Sequence, residues 1–235
     1  MISTAIIPNR FSPENGELRT ALFTGIVEEV GHIAKIEQRG ENRRLTVEAS
    51  GVTKELKTGN SVAVSGVCLT ALDITSTTFC ADLAPETWVR TSFSRITEGA
   101  LVNLELPLRT DGRMGGHMVQ GHVDGVGKLL GFDNIPGTED YWLHIEVPQE
   151  LEKYFVYKGS VSIEGISLTV AKLEGLKLSV AIIPHTVEMT NLKTLKPGDP
   201  VNLEADIVAK YLEKWFRAGR EERGLTVEAL AAKGF

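Results

Sequence analysis

Long apolar runs are missing from this chain of 235 residues, which carries a net charge of −6 from 25 basic and 31 acidic residues. No run approaches the roughly 18 apolar residues that a membrane-spanning helix needs, and the N-terminus lacks the apolar core of a secretory signal. No stripe of basic residues is present that would follow a phosphate backbone. These absences predict a cytoplasmic protein with neither a membrane nor a nucleic acid as partner.

Cysteine is also scarce. Cys68 and Cys80 are the two cysteines, and they lie twelve positions apart without a Cys-x-x-Cys spacing. Neither a zinc site nor a disulfide framework is therefore predicted, and both residues are expected to be thiols in a reducing compartment. His117 and His122 do not favour a metal site either, because five positions place them on opposite faces of a strand or about 140° apart on a helix.

The chain contains an internal duplication. Residues 61–106 align without a gap over residues 160–205, with 13 identities in 46 positions where about three are expected from composition. Further upstream, Gly25–Gly31 aligns with Gly121–Gly127. A repeat of about 97 residues is longer than the roughly 20–50 residues of a solenoid unit, so each copy is predicted to be a self-sufficient domain.

Each copy has the pattern of a small β-barrel. Short alternating segments punctuated by glycine, such as Ser61 to Val64, Leu101 to Leu106 and Tyr141 to Val147, predict strands. About six strands per copy, with no helical segment between them, favour a closed barrel, which leaves no strand edge exposed. The predicted fold class is all-β, with two tandem, similar six-stranded barrels.

The pattern changes near the C-terminus, where one helical face is apolar: Val208, Tyr211, Leu212, Trp215 and Phe216. This amphipathic helix packs either on its own barrel or against a neighbouring subunit, and both alternatives are open at this stage. The predicted organisation is a disordered N-terminal extension (1–21), a first barrel (22–117), a second barrel (118–207), and a helix with a tail (208–235).

Six blocks carry a resemblance to a known family: Phe23–Glu28, Gly66–Thr70, Gly115–Asp124, Lys158–Gly159, Gly165–Thr169 and Ile183–Thr186. From Leu22 to about Phe216, the chain resembles the riboflavin synthase family and its non-catalytic lumazine-binding relatives. One departure is Leu22, since family chains commonly begin with Met directly before the Phe-Thr-Gly-Ile-Val run. Residues 1–21 are therefore either a disordered extension or an upstream start assigned in error where a Leu codon initiates.

Several properties are expected from the resemblance alone. It implies paired flavin-type barrels in a homotrimer without cofactor or metal. It also implies that a pocket between the first barrel of one subunit and the second barrel of its neighbour converts two 6,7-dimethyl-8-ribityllumazine molecules into riboflavin. A non-catalytic protein that holds a lumazine or a flavin on the same double barrel is the alternative.

The substrate-binding residues expected from the resemblance occur in matching blocks of the two copies. They are Gly25, Ile26 and Val27; Cys68, Leu69 and Thr70; Asp82, Leu83, Ala84, Pro85, Glu86 and Thr87; Gly121, His122 and Val123; Lys158; Ser167, Leu168 and Thr169; and Ile182, Ile183, Pro184, His185, Thr186 and Val187. Alternation along a strand places Cys68 and Thr70 on one face and Leu69 on the other. The glycines allow either a close approach of the backbone to a flat ring or a tight corner of the barrel.

The catalytic candidates are Cys68, Ser61 and Lys158 for proton transfer or anion stabilisation, His122 as an acid–base group, and Phe23. Asp206 is either a further polar contact or the N-cap of the last helix.

The copies also differ inside these blocks. Cys68 aligns with Ser167, Gly59 with Lys158, and Ile26 with His122. The folds are therefore expected to agree, while the two pockets are expected to serve different chemical roles.

Overall fold

The computed structural model describes residues 21–222. The predictions for the N-terminal extension, apart from Ala21, and for the tail after Glu222 lie outside the described residues.

The first copy folds into six antiparallel strands. They are β1 (Glu29–Arg39), β2 (Asn42–Glu48), β3 (Ser61–Val64), β4 (Val67–Thr70), β5 (Thr78–Leu83) and β6 (Leu101–Glu105), in the spatial order β4-β3-β6-β1-β2-β5. The two outer strands of this order meet again at Leu72 and Cys80, whose N–H and C=O groups are joined by two hydrogen bonds of 2.8 Å. This bridge completes the ring of strands.

The second copy repeats the arrangement as a closed barrel. Its strands are β7 (Gly125–Asn134), β8 (Tyr141–Glu146), β9 (Ser160–Ile163), β10 (Ile166–Glu174), β11 (Lys177–Ile182) and β12 (Pro200–Ala205), in the order β10-β11-β8-β7-β12-β9. The predicted all-β class with two six-stranded barrels is confirmed.

Each barrel encloses its own apolar core. Ile33, Leu45 and Phe79 are fully buried in the first barrel, and Leu143 and Val180 are fully buried in the second. Burying one such side chain contributes about 1.5–3 kcal/mol relative to exposure, so each copy has the means to fold as a unit. Side chains at the intervening positions point outward, where a ligand can reach them.

Two short helices lie between strands, where the sequence showed no helical segment. They are α1 (Pro85–Arg90) and α2 (Pro184–Glu188), and each begins with its proline. Proline suits the first position of a helix because its missing N–H would have no partner there. Helices of six and five residues are too short to show a 3.6-residue period in the sequence.

The barrels are joined by a reciprocal polar contact. Asn103 on β6 donates from Nδ2 to the carbonyl oxygen of Glu164, and its counterpart Asn202 on β12 donates to the carbonyl oxygen of Ser65, both at 2.9 Å. Each asparagine side-chain oxygen also accepts a backbone N–H from the other barrel at 2.7 Å. Except for Ser92, which is half-buried, all of these residues are buried. Their polar groups therefore need partners, and the approximate two-fold arrangement supplies them.

The last helix, α3 (Ile207–Glu222), begins one residue before the predicted start. Asp206 caps it by accepting the N–H of Val208 at 2.9 Å, which supports the N-cap alternative. Glu213 pairs with Lys153 and Tyr154 on the second barrel, while the aromatic stripe faces outward, with Trp215 71% and Phe216 64% exposed. Within residues 21–222, no helix is long and apolar enough to cross a membrane.

Gly66 and Gly165 touch at the centre of the contact between the barrels. A Cβ on Gly66 would lie 2.7 Å from the Gly165 nitrogen, and the φ of Gly66 is +79°. We expect Gly66→Ala to lower the free energy of unfolding by about 2–4 kcal/mol, from overpacking added to left-handed strain. Gly99→Ala is the matched control, because its φ is +86° with nothing within 4 Å, and it should cost only about 1–2 kcal/mol. If urea unfolding shows equal losses of unfolding free energy for the two variants, a close contact between Gly66 and Gly165 is contradicted.

Candidate functional site

A groove opens on the first barrel where β4 and β5 separate. Beyond the Leu72–Cys80 bridge the two strands share no ladder among the described residues. Cys68 and Thr70 line one side with outward-facing side chains, and Asp82 stands on the other side, while Leu69 points into the core. The predicted alternation of β4 is therefore confirmed.

The second barrel has the equivalent groove between β10 and β11. These strands pair from Val170 to Glu174, and the ladder stops before Ser167 and Thr169. The opposite edge is the end of β11, which continues through Ile183, 51% exposed, into α2. Free strand edges offer backbone donors and acceptors to the edge of a flat heterocycle.

Each groove is completed by a segment from the other copy. The segment Gly121–Val123 lies beside β4, where Gly121 O accepts the N–H of Cys68 at 2.8 Å, and its valine packs on the first core. The segment Gly25–Val27 lies beside β10, where Gly25 O accepts the N–H of Ser167 at 2.7 Å, and its valine packs on the second core. The structure thus brings His122 to the first groove and Ile26 to the second.

The glycines of these segments are required by packing between the copies. Gly25 and Gly121 both have φ near +76°, and a Cβ would lie 2.7 Å from Ser167 Cβ in one case and 2.5 Å from Cys68 Cβ in the other. Close approach to the opposite barrel is a third reason for glycine, beyond the two that the sequence left open.

The first groove contains the thiol of Cys68. Burial raises the pKa of this thiol, and a nearby Glu204 carboxylate adds to the rise, although a hydrogen bond with Ser61 opposes it. The thiol is therefore protonated near neutral pH and can donate a hydrogen bond.

Asp82 is held by a buried arginine. Arg44 donates from Nε and Nη2 to the two carboxylate oxygens of Asp82 at 2.6 and 2.7 Å, and it also pairs with Asp73. These bonds lower the pKa of Asp82, so its carboxylate stays ionised, and the cluster of Asp73, Asp82 and Arg44 has one negative charge in excess.

The second groove differs at the same three positions. Ala181 occupies the position that Asp82 has in the first barrel. Its partner on the neighbouring strand is Trp142, which occupies the position of Arg44. Lys172 aligns with Asp73, and its Nζ lies 4.4 Å from the Trp142 ring centroid. In the second groove, a cation stacked on an aromatic ring therefore replaces the two aspartates, Asp73 and Asp82, that surround Arg44 in the first.

The second groove also has a histidine–serine pair that the sequence did not single out. His117 Nδ1 lies 2.7 Å from Ser167 Oγ, and His117 Nε2 is buried without a partner among the described residues. Burial lowers the pKa of His117, which favours the neutral imidazole, and the tautomer protonated at Nε2 accepts the serine proton at Nδ1. Ala21 aligns with His117 in the other copy, so the first groove lacks this pair.

Lys158 stands at the end of the second groove in a strained conformation. Its φ is +64°, and its N–H bonds to Val170 O at 2.8 Å. Its counterpart Gly59 makes the equivalent bond to Ala71 O with φ +89°. A lysine where the duplicate has glycine costs about 1–2 kcal/mol of backbone strain.

Phe23 is the one catalytic candidate that reaches neither open groove. It is fully buried and pairs with Val119 across the approximate two-fold, through hydrogen bonds of 2.7 and 3.1 Å. It packs with Ala63 beside Cys68. Its catalytic role remains a prediction, and its observed contacts support the shape of the first groove.

Two buried glutamates anchor the segments exchanged between the copies. Glu105 accepts the N–H groups of Thr24 and Gly25 at 2.6 and 3.0 Å. Glu204 accepts three N–H groups, those of Gln120 at 2.7 Å, Gly121 at 3.0 Å and His122 at 3.1 Å. The duplicated Val-Asn-Leu-Glu sequence marked both residues, but it did not indicate this role.

No group of three or more potential metal ligands occurs within the described part of the chain.

Comparison with known proteins places the chain in a family. A model described as the lumazine binding domain matches residues 24–107 and 120–206, one copy in each barrel. The solved structures of LumP with riboflavin and with flavin mononucleotide superpose with TM-scores of 0.70 and 0.69 at 24% and 23% identity. Each covers 78% of this chain and 98% of LumP, and the likeness shows a shared fold.

The curated relatives are closer in sequence. The riboflavin synthase of Actinobacillus pleuropneumoniae is 41% identical over 91% of this chain and all of that protein. Those of Photobacterium phosphoreum and Bacillus subtilis are 37% and 35% identical over the same share of this chain, covering 99% and 100% of those proteins.

The double barrel with its two grooves is thus a tandem lumazine-binding protein. Within that class, the chain belongs to the riboflavin synthase family.

The carboxyl group of Glu204 should make stability depend on pH. Burial raises its pKa from 4.5 to about 7, so the folded state retains a proton that the unfolded chain releases. Glu204 should therefore lower the free energy of unfolding by about 2–3 kcal/mol between pH 4.5 and 7, and this contribution should be absent in Glu204→Gln. Urea unfolding of both proteins, with Glu139→Gln on an exposed hairpin as control, measures the difference. If the free energies of unfolding of the wild type and Glu204→Gln differ by the same amount throughout this pH range, Glu204 does not contribute to the pH dependence.

Proposed function

We propose that the chain catalyses the dismutation of two 6,7-dimethyl-8-ribityllumazine molecules to riboflavin and 5-amino-6-(D-ribitylamino)uracil, the last step of riboflavin biosynthesis. It is a transferase, because one lumazine gives a four-carbon unit to the other. The two substrates contain all the atoms of the two products, so no oxidant, reductant or cofactor is needed.

The observation that carries the proposal is the pair of grooves that share a framework and differ in chemistry. The first has Cys68 and the fixed charge of Asp82, and the second has Ser167 with His117 and the strained Lys158. A donor and an acceptor of the same fragment need such a difference. Two equal storage sites do not.

The reaction begins with loss of a proton from the C7 methyl group of one lumazine, whose carbanion is delocalised into the ring. A nucleophile adds at C7 of the other lumazine, the four-carbon donor, and two carbon–carbon bonds then form between the methyl carbons of the first lumazine and C6 and C7 of the donor. The nucleophile leaves and the C6–N5 and C7–N8 bonds of the donor break. The freed nitrogens take up the protons lost from the two methyl groups, so the diaminopyrimidine is released and riboflavin remains. Holding both rings in register makes the encounter effectively intramolecular, which is worth several kcal/mol. Positioning is therefore the main contribution of the grooves.

The side chains supply proton transfer and charge stabilisation. Ser167, with His117 as acceptor, is suited to moving a proton in the second groove, and Lys158 is suited to stabilising an anion there. In the first groove, the Cys68 thiol, which is hydrogen-bonded to Ser61, is suited to donating a hydrogen bond to the ligand. His122 is a further acid–base candidate in the same groove. The far walls of the two pockets are formed by residues 82–87 and 182–187.

A non-catalytic lumazine- or flavin-binding protein is the alternative. It is not favoured, because the synthase relatives share 35–41% identity with this chain, against 23–24% for LumP. Both grooves also retain outward hydroxyl or thiol groups, so both are equipped to hold a ring.

We propose a homotrimer in the cytoplasm, with each active site formed by the first barrel of one subunit and the second barrel of another. The exposed stripe of α3 supports an assembly, since Tyr211, Trp215 and Phe216 are each more than half exposed in the isolated chain. Both cysteines are free thiols, which fits a reducing compartment.

The decisive assay is incubation of the purified protein with the lumazine alone. Two lumazines should disappear for each riboflavin formed, with one diaminopyrimidine co-product, as followed by absorbance and chromatography. Tight fluorescent binding without turnover would instead establish the storage alternative. A requirement for a nicotinamide or a metal would also overturn the proposal.

Subunits damaged in different barrels should complement each other. Cys68→Trp blocks the first groove and Lys158→Glu reverses a charge in the second, so each variant alone should be inactive. After unfolding together and co-refolding, some interfaces join two intact grooves, and a fraction of the wild-type activity should return. Ion-exchange chromatography resolves the mixed oligomers, because the two variant subunits differ in net charge. Mixed oligomers without activity would place the whole site within one subunit.

A further inference from the structure

Glu105 and Glu204 are deeply buried, at 5% and 2% exposure, and the proposed reaction does not use them. Each lies on the last strand of its own barrel, on β6 or β12. Burial raises the pKa of both carboxyl groups, so their retention needs a reason beyond stability.

The hydrogen bonds of each glutamate lead to the opposite barrel. Glu204 belongs to the second barrel and binds the N–H groups of Gly121 and His122. The carbonyl group of Gly121 in turn accepts the N–H of Cys68 in the first groove at 2.8 Å. A chain of two hydrogen bonds therefore runs from the second barrel to the thiol-bearing strand of the first.

Glu105 makes the mirror connection. It belongs to the first barrel, and its carboxylate accepts the N–H of Gly25 at 3.0 Å and the hydroxyl of Thr24 at 2.8 Å. The carbonyl group of Gly25 then accepts the N–H of Ser167 in the second groove at 2.7 Å.

We propose that Glu105 and Glu204 are positioning residues that act crosswise, so that each barrel holds in place one wall of the other barrel's groove. Glu204 sets the first groove and Glu105 sets the second. Either groove then keeps its shape only while the opposite barrel is intact. The inference rests on the proposed function in taking the grooves as the ligand sites.

Packing alone does not replace these anchors. The segments Thr24–Val27 and Gln120–Val123 belong to no strand. Two N–H groups of the first segment bond to the Glu105 carboxylate, and three of the second bond to that of Glu204. In a Glu→Gln variant one acceptor oxygen becomes an N–H₂ donor that faces a backbone N–H, which releases the segment while keeping the side-chain volume.

The test uses one thiol in each groove. Cys68 reports on the first groove in a Cys80→Ser background. Ser167→Cys reports on the second groove in a Cys68→Ser, Cys80→Ser background. Alkylation by iodoacetamide is timed without ligand and with increasing riboflavin, which gives thiol accessibility and ligand affinity separately for each groove.

Glu204→Gln should speed alkylation of Cys68 and weaken protection by riboflavin about tenfold, while changing the second-groove thiol less than about twofold. Glu105→Gln should speed alkylation of the second-groove thiol and weaken its protection by riboflavin about tenfold, while changing Cys68 less than about twofold. Glu164→Gln is the matched control, because this glutamate is also buried at the contact between the barrels but contacts neither segment, and it should not favour one thiol over the other.

An effect on the groove of the glutamate's own barrel, an equal effect on both grooves, or no effect on either would overturn the crosswise role. If riboflavin protects neither thiol in the parent proteins, the proposed function fails, while the ligand-free alkylation rates still decide whether the anchoring is crosswise.

If a glutamine variant does not fold by circular dichroism, Gly121→Ala and Gly25→Ala provide the second pair. Their Cβ atoms would lie 2.5 Å from Cys68 Cβ and 2.7 Å from Ser167 Cβ, so they push the same segments away. The same crosswise pattern is expected, and a pattern confined to the substituted copy would contradict it.

Discussion

The structure depends on how two short segments outside the strands satisfy their backbone groups at the contact between the barrels. Each segment reaches across to the other barrel, so its N–H and C=O groups are removed from water and must find partners. Glu105 and Glu204 supply acceptors on one side, and the free edges of β4 and β10 supply donors on the other. Because this exchange is reciprocal, neither groove belongs to a single barrel.

The approximate two-fold explains the most closely matched part of the duplication. In the Val-Asn-Leu-Glu sequence, the valine and leucine fill the barrel core, the asparagine joins the barrels, and the glutamate anchors a groove wall. All four positions are buried and constrained in both copies, so each tolerates few alternatives. Outward positions of the grooves escape these constraints, and there the copies differ.

Those differences concentrate charge and strain where a ligand would bind. The first groove has a carboxylate fixed by Arg44, and the second has a cation stacked on Trp142 at the equivalent place. A ring in the first groove would lie near a cluster with one negative charge in excess, and a ring in the second groove near the Lys172 cation. This difference suits the proposed reaction, in which one molecule becomes a carbanion and the other an electrophile. The strained backbone of Lys158 marks the same groove as the histidine–serine pair.

The sequence alone determined the duplication, the two barrels and the terminal helix, because strand alternation, helical spacing and repeated glycines are local patterns. It could not reveal that Gly25 and Gly121 serve the opposite barrel, that His117 meets Ser167, or that Arg44 holds Asp82. Each of these pairs joins positions at least 38 residues apart, or different copies, through registers that only the closed barrels define. Tertiary structure decided them because hydrogen bonding between buried groups depends on distance in space, which local sequence patterns do not encode.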